Sequence, residues 1–150
     1  MKVVLQRVSE ASITINKEVY NSINAGLVIL LGITEGDNQD DIDWLIKKIL
    51  NLRIFEDKNQ VMNLSLKDIN GDILLISQFT LFASTKKGNR PSYIKAAKPE
   101  TAIPLYEKFI TDLESSFEKK VATGKFGADM KISLVNDGPV TIIIDSKDRQ

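Results

Sequence analysis

The segment Gly71-Asp72-Ile73-Leu74-Leu75-Ile76-Ser77-Gln78-Phe79-Thr80-Leu81-Phe82 constrains the fold more than any other stretch of the chain. An unbroken apolar run behind a Gly-Asp turn predicts a strand buried on both faces, so other elements must cover it above and below. The second half of the segment then places Ser77, Gln78 and Thr80 in the same apolar element. A buried hydroxyl or carboxamide without a partner costs stability, so all three require a reason. Either the strand leaves the core here and turns its polar residues to water, or the strand end forms a site. Spacing alone leaves both readings open.

A second run of this kind, Leu27-Val28-Ile29-Leu30-Leu31-Gly32-Ile33 after Gly26, predicts another fully buried strand. Residues 2–9 read as a first strand and residues 11–15 as a second, with Ala11, Ile13 and Ile15 alternating against Ser12 and Thr14. Asn16-Lys17 supplies a hairpin turn into 18–23, and strands spaced so closely predict an antiparallel meander. Two helices are expected. Ile42, Leu45, Ile46 and Ile49 share one helical face, with Asp37 or Asn38 as the cap. Asp40, Asp41 and Asp43 near its start and Lys47 and Lys48 later suit the helix dipole and read as a solvated face. Ala102, Leu105, Tyr106, Phe109, Leu113 and Phe117 trace the second helix, with an N-cap near Thr101 and Pro104 in the first turn, where a missing N–H costs nothing. Residues 52–55, 131–135 and 140–144 add further strands. No linker or repeat divides the chain, so we expect one domain over 1–150. Its class is mixed α and β, with a mainly antiparallel sheet or barrel-like core and two main amphipathic helices.

Composition narrows the chemistry. The 150 residues hold 20 Lys and Arg against 20 Asp and Glu, so no global field draws in a polyanion, although that balance still allows a local basic patch. There is no cysteine and no histidine. Disulfides, thiolate nucleophiles, Ser-His-Asp and Cys-His machinery, and Cys- or His-ligated metal sites are therefore excluded within this chain. Acid–base work falls to Asp, Glu, Lys, Tyr, the substrate or water. Charges at Lys2 and Arg7 interrupt any signal-peptide core, and no run approaches ~18 apolar residues, so a cytoplasmic protein with no membrane span is expected.

Three loops and one strand residue carry competing readings. Residues 83–92 hold Lys86, Lys87 and Arg90 with no apolar period. They form a solvated loop or a phosphate contact, and their place beside the polar strand end favours the contact. Thr123-Gly124-Lys125-Phe126-Gly127-Ala128 lacks the nucleotide-loop spacing and reads as a turn or bulge. Asn136-Asp137-Gly138-Pro139 reads as a tight turn, and its Gly-Pro bond is a cis candidate that the residues alone do not establish. Arg7, between Gln6 and Val8, reads by position as part of a solvated strand face.

Taken together, these pieces resemble the D-aminoacyl-tRNA deacylases over nearly the whole chain. The resemblance runs through Val4-Leu5-Gln6-Arg7-Val8, Gly26 to Gly32, Leu52-Arg53-Ile54-Phe55 and Met62-Asn63-Leu64-Ser65-Leu66. Its two diagnostic motifs are Ser77-Gln78-Phe79-Thr80-Leu81 and Asn136-Asp137-Gly138-Pro139-Val140-Thr141, and the segments 87–92 and 123–128 also fit. The resemblance implies hydrolysis of the ester between a D-amino acid, or mischarged glycine, and the terminal adenosine of tRNA. It implies a homodimer with no cofactor and no metal. Gly138 and Pro139, through a cis peptide, would reach the partner's pocket as a chirality filter, and Arg7 would brace them. Ser77, Gln78, Phe79 and Thr80 would line the catalytic pocket. In one mechanism Thr80 is the nucleophile. In the other, backbone N–H groups near Phe79 and Thr80 hold the oxyanion while the tRNA 2′-hydroxyl helps activate water. The missing histidine, which leaves a threonine without its usual base, favours the second. Lys86, Lys87 and Arg90 would contact the tRNA 3′ end. The rival class is a non-catalytic RNA-binding module on the same fold.

Overall fold

The computed structural model describes residues 1–150. Its frame is a six-stranded sheet built around one long strand, β1 (Lys2–Ile15). β1 pairs antiparallel with β2 (Glu18–Ile23), β3 (Gly26–Gly32) and β8 (Lys131–Asp145). The two short strands expected before Asn16 are thus one element, with only a register shift against β8 between Val8 and the exposed Glu10 where the two were expected to part. The hairpin at Asn16-Lys17 forms as expected, both residues taking positive φ (52° and 66°), which fits the twist of a two-residue β-turn. β2 and β3 lie end to end along one edge of β1 in a shared register, so the expected meander is instead a long hairpin; β6 (Asp72–Ser77) joins β3 in parallel, and β7 (Ala122–Thr123) joins β6 in parallel. β4 (Phe55–Glu56) and β5 (Met62–Leu64) form a separate small ribbon. The Asn21 carboxamide of β2 donates to the Thr123 carbonyl of β7 at 3.0 Å, and the curled sheet forms a nearly closed barrel.

The doubly buried runs explain this arrangement. Successive strand side chains point to opposite faces. Leu27, Ile29, Leu31, Ile73 and Leu75 pack outward against the helices in one core cluster. Val28, Leu74 and Ile76 pack inward with Val8, Ile13 and Ile23 in a second, and Ile132 and Leu134 of β8 lean against it. Helix α1 (Gln39–Asn51) begins at Asn38, whose side chain accepts from the Asp40 N–H while the Asp41 carboxylate accepts from the Asn38 N–H. Asp41 is no solvated charge: it is 2% exposed and bonded by the Lys147 ammonium at 2.7 Å. Burial pushes its carboxyl up, but the bonds from Lys147, Ser146 and the Asn38 N–H prevail and hold it at about 2. Helix α2 (Pro99–Phe117) starts earlier than its pattern predicts. Pro99 occupies the first turn, Lys98 is the N-cap, and Pro104 lies inside the helix. The capping oxygen comes from Glu35, whose carboxylate accepts the Lys98 N–H at 3.1 Å and the Thr101 hydroxyl at 3.2 Å. No helix is long and apolar enough to cross a membrane.

Candidate active site

The parallel pair β3–β6 ends with Leu31 beside Ser77. The next N–H, that of Gln78, donates to the Leu31 carbonyl at 2.7 Å, and there the strand stops. Residues Phe79–Phe82 form a 3₁₀ turn instead of extending β6, so the strand does not run on out of the core through these residues. Gly32 makes room for it: a Cβ there would lie 3.0 Å from Leu81 Cβ and 3.1 Å from the Gln78 carbonyl oxygen. The change from strand to turn is the physical meaning of the polar residues after Ile76.

Beside this turn lies a mostly apolar cavity of about 410 Å³. Ser77, Gln78 and Phe79 form one wall. Phe79 is 56% exposed and meets Tyr93 edge-on at 5.1 Å between ring centroids. The opposite wall is the strap from Tyr93 to Pro99. It is tied to the end of β3 by a Thr34–Ala96 bridge, by the Ala97 N–H donating to the Ile33 carbonyl at 2.9 Å, and by Glu35 at the start of α2. Phe126 and Gly127 close the back. Their loop was expected only as a turn. Its aromatic residue, between two glycines, was the one local signal of a second role. Phe126 packs on Tyr106 at 5.7 Å, and the Tyr106 hydroxyl donates to the Leu75 carbonyl at 3.3 Å.

Of the side chains able to move protons, Tyr93 and Lys98 line the cavity. No carboxylate lines it. Burial pushes the Tyr106 phenol behind it up to about 12, so that group stays protonated at neutral pH. Thr80 does not line the cavity; its hydroxyl accepts from the Gln78 carboxamide, and an amide is no base. The main chain offers more. Leu81 is the first residue whose N–H is taken within the turn, by the Gln78 carbonyl. The N–H groups of Phe79 and Thr80 therefore have no partner inside the turn, as at any helical start.

Gly138 and Pro139 lie elsewhere. Val8 of β1 faces Asn136 and Gln6 faces Thr141, so Asp137 to Val140 bulge out opposite Arg7 alone. The Gly138–Pro139 bond is cis, with Gly138 at φ 131°, and both residues are exposed. Asn136 spans the bulge, accepting the Val140 N–H at 2.9 Å and donating to the Thr141 hydroxyl at 3.1 Å. Arg7 is 4% exposed, which overturns its reading as part of a solvated face. It donates to the Ile54 carbonyl at 2.7 Å and the Asp137 carbonyl at 2.9 Å, with Glu56 at 3.8 Å. A Cβ on Gly138 would come within 3.0 Å of its guanidinium. Neither Gly138 nor Pro139 lines the cavity of its own chain.

Lys86, Lys87 and Arg90 are exposed on a loop closed at its base by reciprocal Ser84–Ser92 backbone bonds of 2.8 and 2.9 Å. Tyr93, the residue after that closure, belongs to the cavity, so the loop springs from its rim.

The D-Tyr-tRNA(Tyr) deacylase family model matches residues 4–145. A D-aminoacyl-tRNA deacylase of Flavobacterium psychrophilum is 68% identical over the full length of both chains, and one of Bacteroides fragilis is 63% identical, also over both full lengths. Among solved structures, a "c-Myc DNA Unwinding Element Binding Protein" is 40% identical and superposes with a TM-score of 0.92, covering 97% of this chain and 98% of its own. A structure described as a probable eukaryotic D-amino acid tRNA deacylase shares the fold at a TM-score of 0.83 and 16% identity, over 95% of this chain and 97% of its own.

Proposed function

The chain belongs to the D-Tyr-tRNA(Tyr) deacylase family, hydrolases of the aminoacyl ester bond, and on that premise we propose that it removes D-amino acids, and mischarged glycine, from tRNA. The observation that carries this reading is the cavity beside Ser77, Gln78, Phe79 and Thr80, whose chemistry rests on main-chain donors. The aminoacyl ester enters with its carbonyl oxygen toward the Phe79 and Thr80 N–H groups. Water attacks the carbonyl carbon, assisted by the tRNA 2′-hydroxyl, and the oxyanion rests on those donors. Collapse breaks the bond to the ribose oxygen, which takes the proton. Free amino acid and tRNA leave, and no metal or cofactor takes part in the scheme.

Handedness is judged by Gly138 and Pro139 of a second copy in a homodimer. These residues project away from their own cavity on a bulge braced by Arg7 and Asn136, which supports their use in a neighbour's. A backbone wall near the substrate α-carbon leaves room for hydrogen or a D side chain and collides with an L side chain. Lys86, Lys87 and Arg90 meet phosphates at the tRNA 3′ end. The test is incubation with a D-aminoacyl-tRNA and its L counterpart in the cytoplasmic pH range. Release of the D amino acid alone is expected. Equal release of both would sink the filter, and binding without release would favour the RNA-binding module instead.

A further inference from the structure

A second basic region lies away from the cavity. Trp44, Lys47, Lys48 and Asn51 of α1, with Leu52 and Arg53 just beyond it, line an open groove of about 470 Å³ that contains no carboxylate. The Lys48 ammonium lies 5.6 Å from the centre of the Trp44 ring and the Arg149 guanidinium 4.7 Å from it, so one half-buried ring gathers a cation from its own helix and one from far along the sequence. None of Lys47, Lys48, Arg53 and Arg149 enters an ion pair. The carboxylates nearest these cations, Asp43 and Asp112 in the adjoining groove with Lys47 and Asp68 near Arg53, lie outside this groove, so its own walls carry positive charge alone.

Contacts lead from this face to the 3₁₀ turn beside the candidate active site. Trp44 and Lys48 also line a neighbouring groove with Lys2, and the Lys2 ammonium sits 5.1 Å from the ring of Phe82, the last residue of the 3₁₀ turn. Asp145 and Asp148 line that neighbouring groove, and Asp145 pairs with Lys2 at 3.5 Å. The free positive charge is therefore concentrated at the end around Trp44 and Arg53. The groove is open, and its cations come from α1 (Lys47 and Lys48), from the residue pair that follows it (Arg53) and from the C-terminal end of the chain (Arg149). That design suits repeated phosphates along a backbone better than one small anion held by buried donors.

We propose that the Trp44 face is a second contact for the tRNA substrate. Lys47, Lys48, Arg53 and Arg149 take the sugar–phosphate backbone of the acceptor arm while the aminoacylated end occupies the cavity. The identity of the polyanion rests on the deacylase reading; the charge of the face does not.

The test uses the full-length protein and two variants, K47Q/K48Q and R149Q. Gln keeps most of the helix propensity of Lys, and Arg149 lies outside α1, so the two variants do not share a folding risk. Binding of uncharged tRNA is followed by fluorescence anisotropy between ~50 and ~200 mM salt. Each phosphate contact adds about one to the slope of log affinity against log salt, so K47Q/K48Q should lower that slope by about two and R149Q by about one. Low-salt affinity should fall several-fold in each, while hydrolysis of a D-aminoacyl-adenosine, which has no acceptor arm, stays at the wild-type rate. Unchanged tRNA affinity and slope in both variants would overturn the proposal. So would equal losses on tRNA and on the small ester, which would place the damage in the cavity. A wild-type protein that cleaves neither ester would refute the deacylase reading, and the tRNA titration would still decide this one.

Discussion

The Phe79 position separates main-chain catalysis from side-chain catalysis. Phe79→Pro deletes one N–H and little else from the backbone: Phe79 is the first residue of the 3₁₀ turn, where proline is tolerated, and Gln78 before it, at φ −144° and ψ 83°, is already outside the helical region that a following proline disfavours. Removing one oxyanion donor costs ~10²–10³ in rate, or ~2.7–4 kcal/mol of transition-state stabilisation. Phe79→Ala is the control, because it loses the same ring contact with Tyr93 but keeps the donor. Thr80→Ala supplies the contrast. It removes the acceptor of one neutral hydrogen bond from Gln78, worth ~1 kcal/mol, so the rate should fall by less than about tenfold. Were Thr80 the nucleophile, its loss would cost on the order of 10⁴–10⁶. Single-turnover hydrolysis of D-aminoacyl-tRNA at saturating enzyme reads both effects, with melting curves and tRNA binding to show that fold and affinity survive. A Thr80→Ala loss above ~10³ in an intact protein, or a Phe79→Pro rate equal to that of Phe79→Ala, would refute main-chain stabilisation.

Three further outcomes follow from the geometry. Arg7→Lys cannot reach both the Ile54 and Asp137 carbonyls, so it should lose a charge-assisted bond worth ~1.5–3 kcal/mol, seen as a lower urea midpoint, and should narrow the D-to-L rate ratio as the bulge loosens. Asp41, held at about 2 against an ordinary 3.8, adds stability that is complete above about pH 4 and lost as pH falls towards 2. At ~1.4 kcal/mol per pH unit that is roughly 2 kcal/mol, and Asp41→Asn should flatten the stability curve measured by chemical denaturation over that window. Glu35→Ala frees the Lys98 N–H and the Thr101 hydroxyl, costing about 1 kcal/mol of capping. Because the strap it anchors is a cavity wall, KM should rise with kcat nearly unchanged, and an equal fall in both kcat and kcat/KM would contradict that role.

How much of this was legible in the sequence depends on whether each cause was local. The start of α1 was, because Asn38 and Asp41 satisfy each other within one turn. The start of α2 was not: its capping carboxylate is Glu35, 63 residues upstream of Lys98, and without it the local pattern places the start at Thr101 and Pro104. The burial of β3 and β6 on both faces was readable from their apolar runs, whereas their parallel pairing depends on how the chain crosses between them. Asp41 looked solvated because Lys147, its partner, is 106 positions away. The site follows the same rule in a stronger form. A chain without histidine or cysteine leaves few side chains to announce a reaction. What the sequence can display is the break in pattern after Ile76, where polar residues force a strand to end, and the Gly-Pro step after Asp137. The donors we propose are peptide N–H groups, which every residue but proline carries. Only the turn that leaves those of Phe79 and Thr80 unpaired distinguishes them, and that turn packs closely on Gly32, far back in the chain, where a side chain would crowd it.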